Sequence, residues 1–192
     1  QKVKNNLIKE QQKKIEIGTV TKQDLLENQA KFSYLAIGSN LGNKVINIEK
    51  AKTELLNNKI EIIKCSSNFE SESWPNPLYP KFINIVIKIK TNISPLKLLE
   101  TCQLIEKKIG RKRTKRNHPR CCDIDIIDYD QKILNFGDKK LILPHPSMNK
   151  RNFVLLPLFE IDKLWKHPKF NINIVNLISY LPIKDLSSIK QI

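Results

Sequence analysis

At 192 residues and 40% hydrophobic content, the chain can build one packed domain with an extension to spare. It has no run near the roughly 20 apolar residues that a membrane helix needs, which excludes a helical membrane anchor within it. The net charge of +15 points to anionic partners: nucleic acid, an acidic membrane surface or a phosphate-bearing small molecule. Much of that charge is lysine scattered among Asn and Ile, and only residues 111–120 concentrate it.

Residues 1–32 are rich in Gln, Lys, Asn and Glu and sparse in apolar residues. They are expected to form a helical or disordered extension, separate from a domain over 33–192, with the boundary near Lys31. Residues 15–30 resemble a segment common in the long helices of outer-membrane efflux channels, a similarity too short to carry function. The first residues lack the short apolar run of a secretory signal. The four cysteines, at 65, 102, 121 and 122, have no Cys-x-x-Cys spacing, and the adjacent pair cannot bridge without backbone strain. Reduced thiols in a cytoplasmic protein are the expectation.

From Tyr34 the elements are short and alternate in type. Tyr34–Ile37 reads as a strand, Gly38–Asn43 as a loop, and Val45–Asn57 as a helix with Ile48, Ala51 and Leu55 on one face. Ile60–Ser66 is a second strand, and Glu70–Lys81 is a polar, proline-containing loop. Ile83, Ile85, Ile87 and Ile89 then alternate with other residues, which predicts a half-buried strand. Ser94-Pro95 is an N-cap with proline at the first helical position, opening a helix that Gly110 closes. A strand over Cys122–Tyr129 follows, then a hairpin at Asp130–Leu134, a helix from Lys150 and a last short helix over Ile174–Tyr180. The order β-α-β-β-α-β predicts an α+β ferredoxin-like sandwich, mainly antiparallel, with helices packed on the sheet and a C-terminal extension.

Asp123 and Asp125 are two residues apart on a strand and so share one face, where they can grip a metal together. Immediately before them, Arg111–Arg120 holds six cations in ten positions between a glycine and a proline region. Paired carboxylates beside a cationic loop suit polyphosphate chemistry with Mg²⁺, which takes one or two carboxylates plus phosphate oxygens. The plainer reading is a strand-end acidic pair beside a solvated basic loop. Gln103 and Glu106 lie three apart at the end of the preceding helix, which leads into that loop. His145 is flanked by Pro144 and Pro146. Trp74, Phe82 and Phe153 fall in loops or at element ends, as core packing or as a slot for a flat heterocycle. Asn84 faces away from the Ile83–Ile89 stripe and can hydrogen-bond such a ring.

Taken together, Ala36-Ile37-Gly38-Ser39-Asn40-Leu41-Gly42, Phe82-Ile83-Asn84, Gln103-x-x-Glu106, Gly110-Arg111-x-Arg113, Arg116-x-x-Pro119-Arg120-x-x-Asp123-x-Asp125-Ile126 and Pro144-His145-Pro146-x-Met148-x-x-Arg151-x-Phe153 resemble the 6-hydroxymethyl-7,8-dihydropterin pyrophosphokinases of folate biosynthesis. The resemblance runs in order over about residues 33–165. It implies a diphosphokinase that moves diphosphate from ATP, the co-substrate, to hydroxymethyldihydropterin with two Mg²⁺ ions. Asp123 and Asp125 would be the metal ligands. Gln103, Glu106, Arg113, Arg116, His145 and Arg151 would face ATP, with Arg113 and Arg116 acting in catalysis beside the aspartates. Ser71, Trp74, Phe82, Asn84, Arg120 and Phe153 would line the pterin pocket. Asn117-His118 stands where the family often has an aromatic residue and glycine. A cytoplasmic monomer without nucleic-acid or membrane partners is expected. The competing classes are an RNA-binding ferredoxin-like module, which lacks its aromatic-rich signature here, and a Mg²⁺-dependent nuclease.

Overall fold

The computed structural model describes residues 29–73, 76–112, 118–139 and 141–192. Most of the expected extension lies outside the described residues, as do Trp74, Arg113, Arg116 and Asn117. Residues 31–192 form one compact unit.

The isoleucine stripe builds the central strand. β4 (Phe82–Thr91) pairs from Ile83 to Thr91 with β1 (Lys31–Ser39) and, on its other edge, with β2 (Glu61–Cys65) and β3 (Phe69–Ser71), always antiparallel. On the far side of β1 runs β5 (Asp123–Tyr129), also antiparallel. A last strand, β8 (Ile189–Gln191), pairs with β3, so the sheet order is β5-β1-β4-β3-β8, with β2 also on β4. The short β6 (Leu134–Phe136) and β7 (Leu141–Leu143) form a separate hairpin.

Two helices cover one face. α1 (Lys44–Asn57) is capped by Asn43, whose side chain accepts from the Ile46 N–H at 3.1 Å. α2 (Pro95–Ile109) is capped by Ser94 and ends at Gly110, whose φ of +104° suits only a residue without a side chain. Ile48, Ala51 and Leu55 of α1 and Leu98, Cys102 and Ile105 of α2 bury against Leu35, Ile37, Ile85, Ile87, Ile124 and Ile126. Each Leu or Ile among them contributes about 1.5–3 kcal/mol by leaving water.

The opposite face is covered as well. α3 (Asn152–Ile161), Trp165 and α4 (Ile174–Ser179) pack on Tyr34, Val86 and Ile127, so the C-terminal segment makes a third layer. Like β1 and β4, β5 feeds both cores by alternation, Ile124 and Ile126 to one layer and Ile127 to the other; an extra residue where the register with β1 slips between Tyr34 and Leu35 then turns Asp128 to the same side as Ile127, where it meets Trp165.

Several expectations change in detail. β3 falls inside the segment read as loop from Glu70, and the turn at Asp130-Gln131 connects β5 to the β6–β7 hairpin, displacing the hairpin expected at Asp130–Leu134. After the short helix come α5 (Ile183–Ser187) and β8. Three-residue strands carry too little alternation to be read without their pairing partners.

Candidate active site

One row of the sheet centres the site. Gly38 on β1 lies opposite Asp123 on β5 and opposite Asn84 on β4. A Cβ on Gly38 would meet Asn84 Oδ1 at 2.8 Å and the Phe82 ring at 3.4 Å. The glycine therefore keeps open the space in which Asn84 and Phe82 sit. Asn84 Nδ2 donates to Ser71 Oγ at 2.9 Å, which fixes the amide and leaves Oδ1 as its acceptor. The Arg120 guanidinium lies 5.1 Å from the centre of the Phe82 ring. This end of the row thus brings together an aromatic ring and a fixed amide.

The other end is charged. Asp123 and Asp125 project from the face opposite Ile124 and Ile126, as the spacing requires. Arg111 Nη1 reaches Asp123 Oδ1 at 2.6 Å, and Arg120 Nη2 binds Asp123 Oδ2. Arg151, the residue before α3, reaches Asp125 Oδ2 at 3.1 Å. His145 Nε2 stands 3.9 Å from the same oxygen, while its Nδ1 accepts from the Ser147 N–H at 3.2 Å. That bond leaves the ring proton on Nε2, facing the carboxylate. Burial and the neighbouring Asp123 charge raise the Asp125 pKa, and burial lowers that of His145.

Glu106 and Gln103 occupy different environments although they sit on one helix. Gln103 is exposed, whereas Glu106 is buried and accepts from the Ile124 N–H at 2.7 Å and from Arg111 Nη1 at 2.5 Å. Burial outweighs the Arg111 charge and pushes the Glu106 carboxyl up to about 7. Arg111 thus ties the end of α2 to the start of β5. Asn40 ties the loops: it donates to Ser73 Oγ and the Pro80 carbonyl at 3.1 and 3.0 Å, and its Oδ1 accepts from the Arg120 N–H at 2.7 Å. The sequence alone assigns a specific role to neither Arg111 nor Asn40. The signal was present in Gly38-Ser39-Asn40 and Gly110-Arg111, but a bridging role depends on partners far away in the chain. Phe153 lies 5.6 Å from the Arg151 guanidinium and packs at the edge of the second core. Trp74, Arg113 and Arg116 have no place among the described residues.

The donor set suits a hard cation. Two carboxylates face one way, Asp123 paired with Arg111 and Arg120 and Asp125 with Arg151. Among the described residues no third acidic, His or Cys group joins them in a ligating cluster, so phosphate oxygens and water would complete the shell. Arg120 Nε is buried without a hydrogen-bond partner among the described residues, a donor left over beside the same carboxylates.

The sequence model of 7,8-dihydro-6-hydroxymethylpterin-pyrophosphokinase (HPPK) matches residues 34–163. The chain belongs to the HPPK family. The 2-amino-4-hydroxy-6-hydroxymethyldihydropteridine pyrophosphokinase of Aquifex aeolicus is 39% identical over 135 residues, which cover 70% of this chain and 82% of that protein. The folic acid synthesis protein fol1 of Pneumocystis carinii is 34% identical over 170 residues, 88% of this chain and 22% of its own. The chain therefore spans most of the Aquifex aeolicus relative and about a fifth of the Pneumocystis carinii one. In fold it is similar to a Plasmodium falciparum HPPK-DHPS variant crystallised with pterin and p-hydroxybenzoate, with a TM-score of 0.65 at 15% identity, over 85% of this chain and 48% of that one. The α+β, mainly antiparallel architecture of HPPK is the one observed here.

Proposed function

We propose that the chain transfers diphosphate from ATP to the hydroxymethyl group of 6-hydroxymethyl-7,8-dihydropterin and releases AMP, with two Mg²⁺ ions held by Asp123 and Asp125. The reading is supported above all by the row Asp123–Gly38–Asn84, which puts a carboxylate and its arginines beside an amide and an aromatic ring for which the glycine leaves room. The pterin would lie against Phe82, with Asn84, Ser71, Arg120, Phe153 and Trp74 around it. Gln103, Glu106, His145, Arg151, Arg113 and Arg116 would face ATP.

The hydroxyl oxygen attacks the β-phosphorus in line and gives up its proton to solvent, the bond from that phosphorus to the α–β bridging oxygen breaks, and AMP leaves with the bridging oxygen. The barrier is one of charge and alignment, so the residues act by position. Bound Mg²⁺ would neutralise charge on the transferred group and its leaving oxygen. Arg111, Arg120 and Arg151, now on the aspartates, are charged donors within reach of phosphate oxygens once those pairs exchange. His145 offers its Nε2–H on the same rim.

The chain would act as a cytoplasmic monomer, with the extension standing outside the catalytic domain but ending at residue 30, two residues short of the expected 1–32, because Lys31 and Phe32 pair with Thr91 and Lys90 in the sheet. The division of contacts at Lys31 supports that boundary. Release of AMP from Mg-ATP is expected only when hydroxymethyldihydropterin is added. Release that ignores the pterin, or none with it, would overturn the assignment.

A further inference from the structure

We propose that residues 183–192 form a brace for the pterin-side wall of the site, and that Asn152 is the positioning residue that fastens it. The inference rests on the pterin reading above. One end of the segment holds β3: Ile189 pairs with Ser71, Lys190 with Glu70 and Gln191 with Phe69. The Ile192 N–H donates to the Asn68 carbonyl and Gln191 Nε2 to Ser67 Oγ, both at 2.9 Å. The other end is tied to the start of α3, where Asn152 Nδ2 donates to the Asp185 carbonyl at 2.5 Å and to Ser188 Oγ at 3.1 Å. Its Oδ1 accepts from the Phe153 N–H at 2.7 Å.

The segment therefore joins two walls that approach the slot from different elements, Ser71 on β3 and Phe153 on α3. β3 has only three residues and three pairs with β4, so without β8 it would be a short edge strand open to water and to local fraying. Ser71 anchors the Asn84 amide, so fraying there loosens the group that reads the heterocycle. Among the described residues, Glu106, Arg111 and Asp123 bond to one another and to the Ile124 N–H, which leaves most of the nucleotide side outside the reach of this segment.

Asn152→Asp in the full chain separates the two functions of the side chain. It keeps the acceptor for the Phe153 N–H and removes the donors to Asp185 and Ser188. With a non-hydrolysable Mg-ATP analogue bound, pterin dissociation constants are expected to rise about tenfold. The analogue's own affinity should change less than about threefold. Hydrogen exchange should quicken at Phe69–Ser71. A chain ending at Pro182 should show the same pattern more strongly, and if it fails to fold, Asn152→Asp decides alone. Unchanged pterin affinity, or parallel loss of both ligands with a lowered melting temperature, would overturn the brace. A parent chain that binds the nucleotide analogue but no pterin would overturn the functional reading and this inference with it.

Discussion

β5 carries carboxylates at both ends, and the two ends solve the problem of charge differently. At its start, Asp123 and Asp125 are partly exposed and paired with Arg111, Arg120 and Arg151. At its end, Asp128 is fully buried and accepts from the Trp165 indole N–H at 2.8 Å and from Gln131, with Asp162 nearby held by Tyr34 and Lys88. Long guanidinium side chains at a rim can swing to phosphate and yield to a cation. A packed indole cannot, so its carboxylate stays structural. On the proposed reading, the same residue type would serve exchange at one end and rigidity at the other, according to whether its partners are anchored.

The sharpest way to break this contrast is to remove one carboxylate from each end. Asp123→Ala or Asp125→Ala should cut turnover by on the order of a thousandfold while the melting temperature changes little. Asp128→Ala should do the reverse: it strands the buried Trp165 N–H, which costs about 1–3 kcal/mol, and lowers the melting temperature by roughly 3–10 °C with near-normal activity per folded molecule. Active Asp125→Ala protein would remove the metal assignment. Replacing Arg113 and Arg116 together by Ala tests the phosphate side further. Single-turnover rates should fall roughly a hundredfold with nucleotide affinity nearly kept. Lost affinity at an unchanged rate would make the two arginines a docking surface.

Gly38→Ala should act more mildly and on the other substrate. Its Cβ would press on Asn84 Oδ1, so the KM for pterin should rise about tenfold while that for ATP holds; equal effects on both would argue that the strand itself had shifted. The smallest effect concerns the structural end. Burial alone would raise the Asp162 pKa, but the Tyr34 and Lys88 hydrogen bonds outweigh it and hold the carboxyl below its ordinary 3.8. A folded-state pKa below the unfolded one gives stability that is fully present above about pH 4 and is lost as the pH falls through the folded value. Asp162→Asn should therefore melt a few degrees lower than the parent at neutral pH, and the gap should close below about pH 4 in calorimetric scans. A gap that stayed constant would mean packing and not charge.

The strand Phe82–Thr91, the capped helix Pro95–Ile109 and the acidic pair were legible because local rules produce them: an alternating stripe, a Ser-Pro start with a Gly stop, and a period of two that turns Asp123 and Asp125 the same way. The motif series likewise led to the HPPK family. The three-layer architecture, β3 and β8, and the Ile127 bulge were decided only by tertiary structure, because each depends on a partner distant in sequence. So did the separation of Gln103 from Glu106, since equal helical spacing says nothing of which side chain meets the Ile124 N–H. Arg111 shows the limit most clearly. Its charge could be read from the chain, but the two carboxylates it joins, 5 residues before it and 12 after, meet only when α2 packs beside β5.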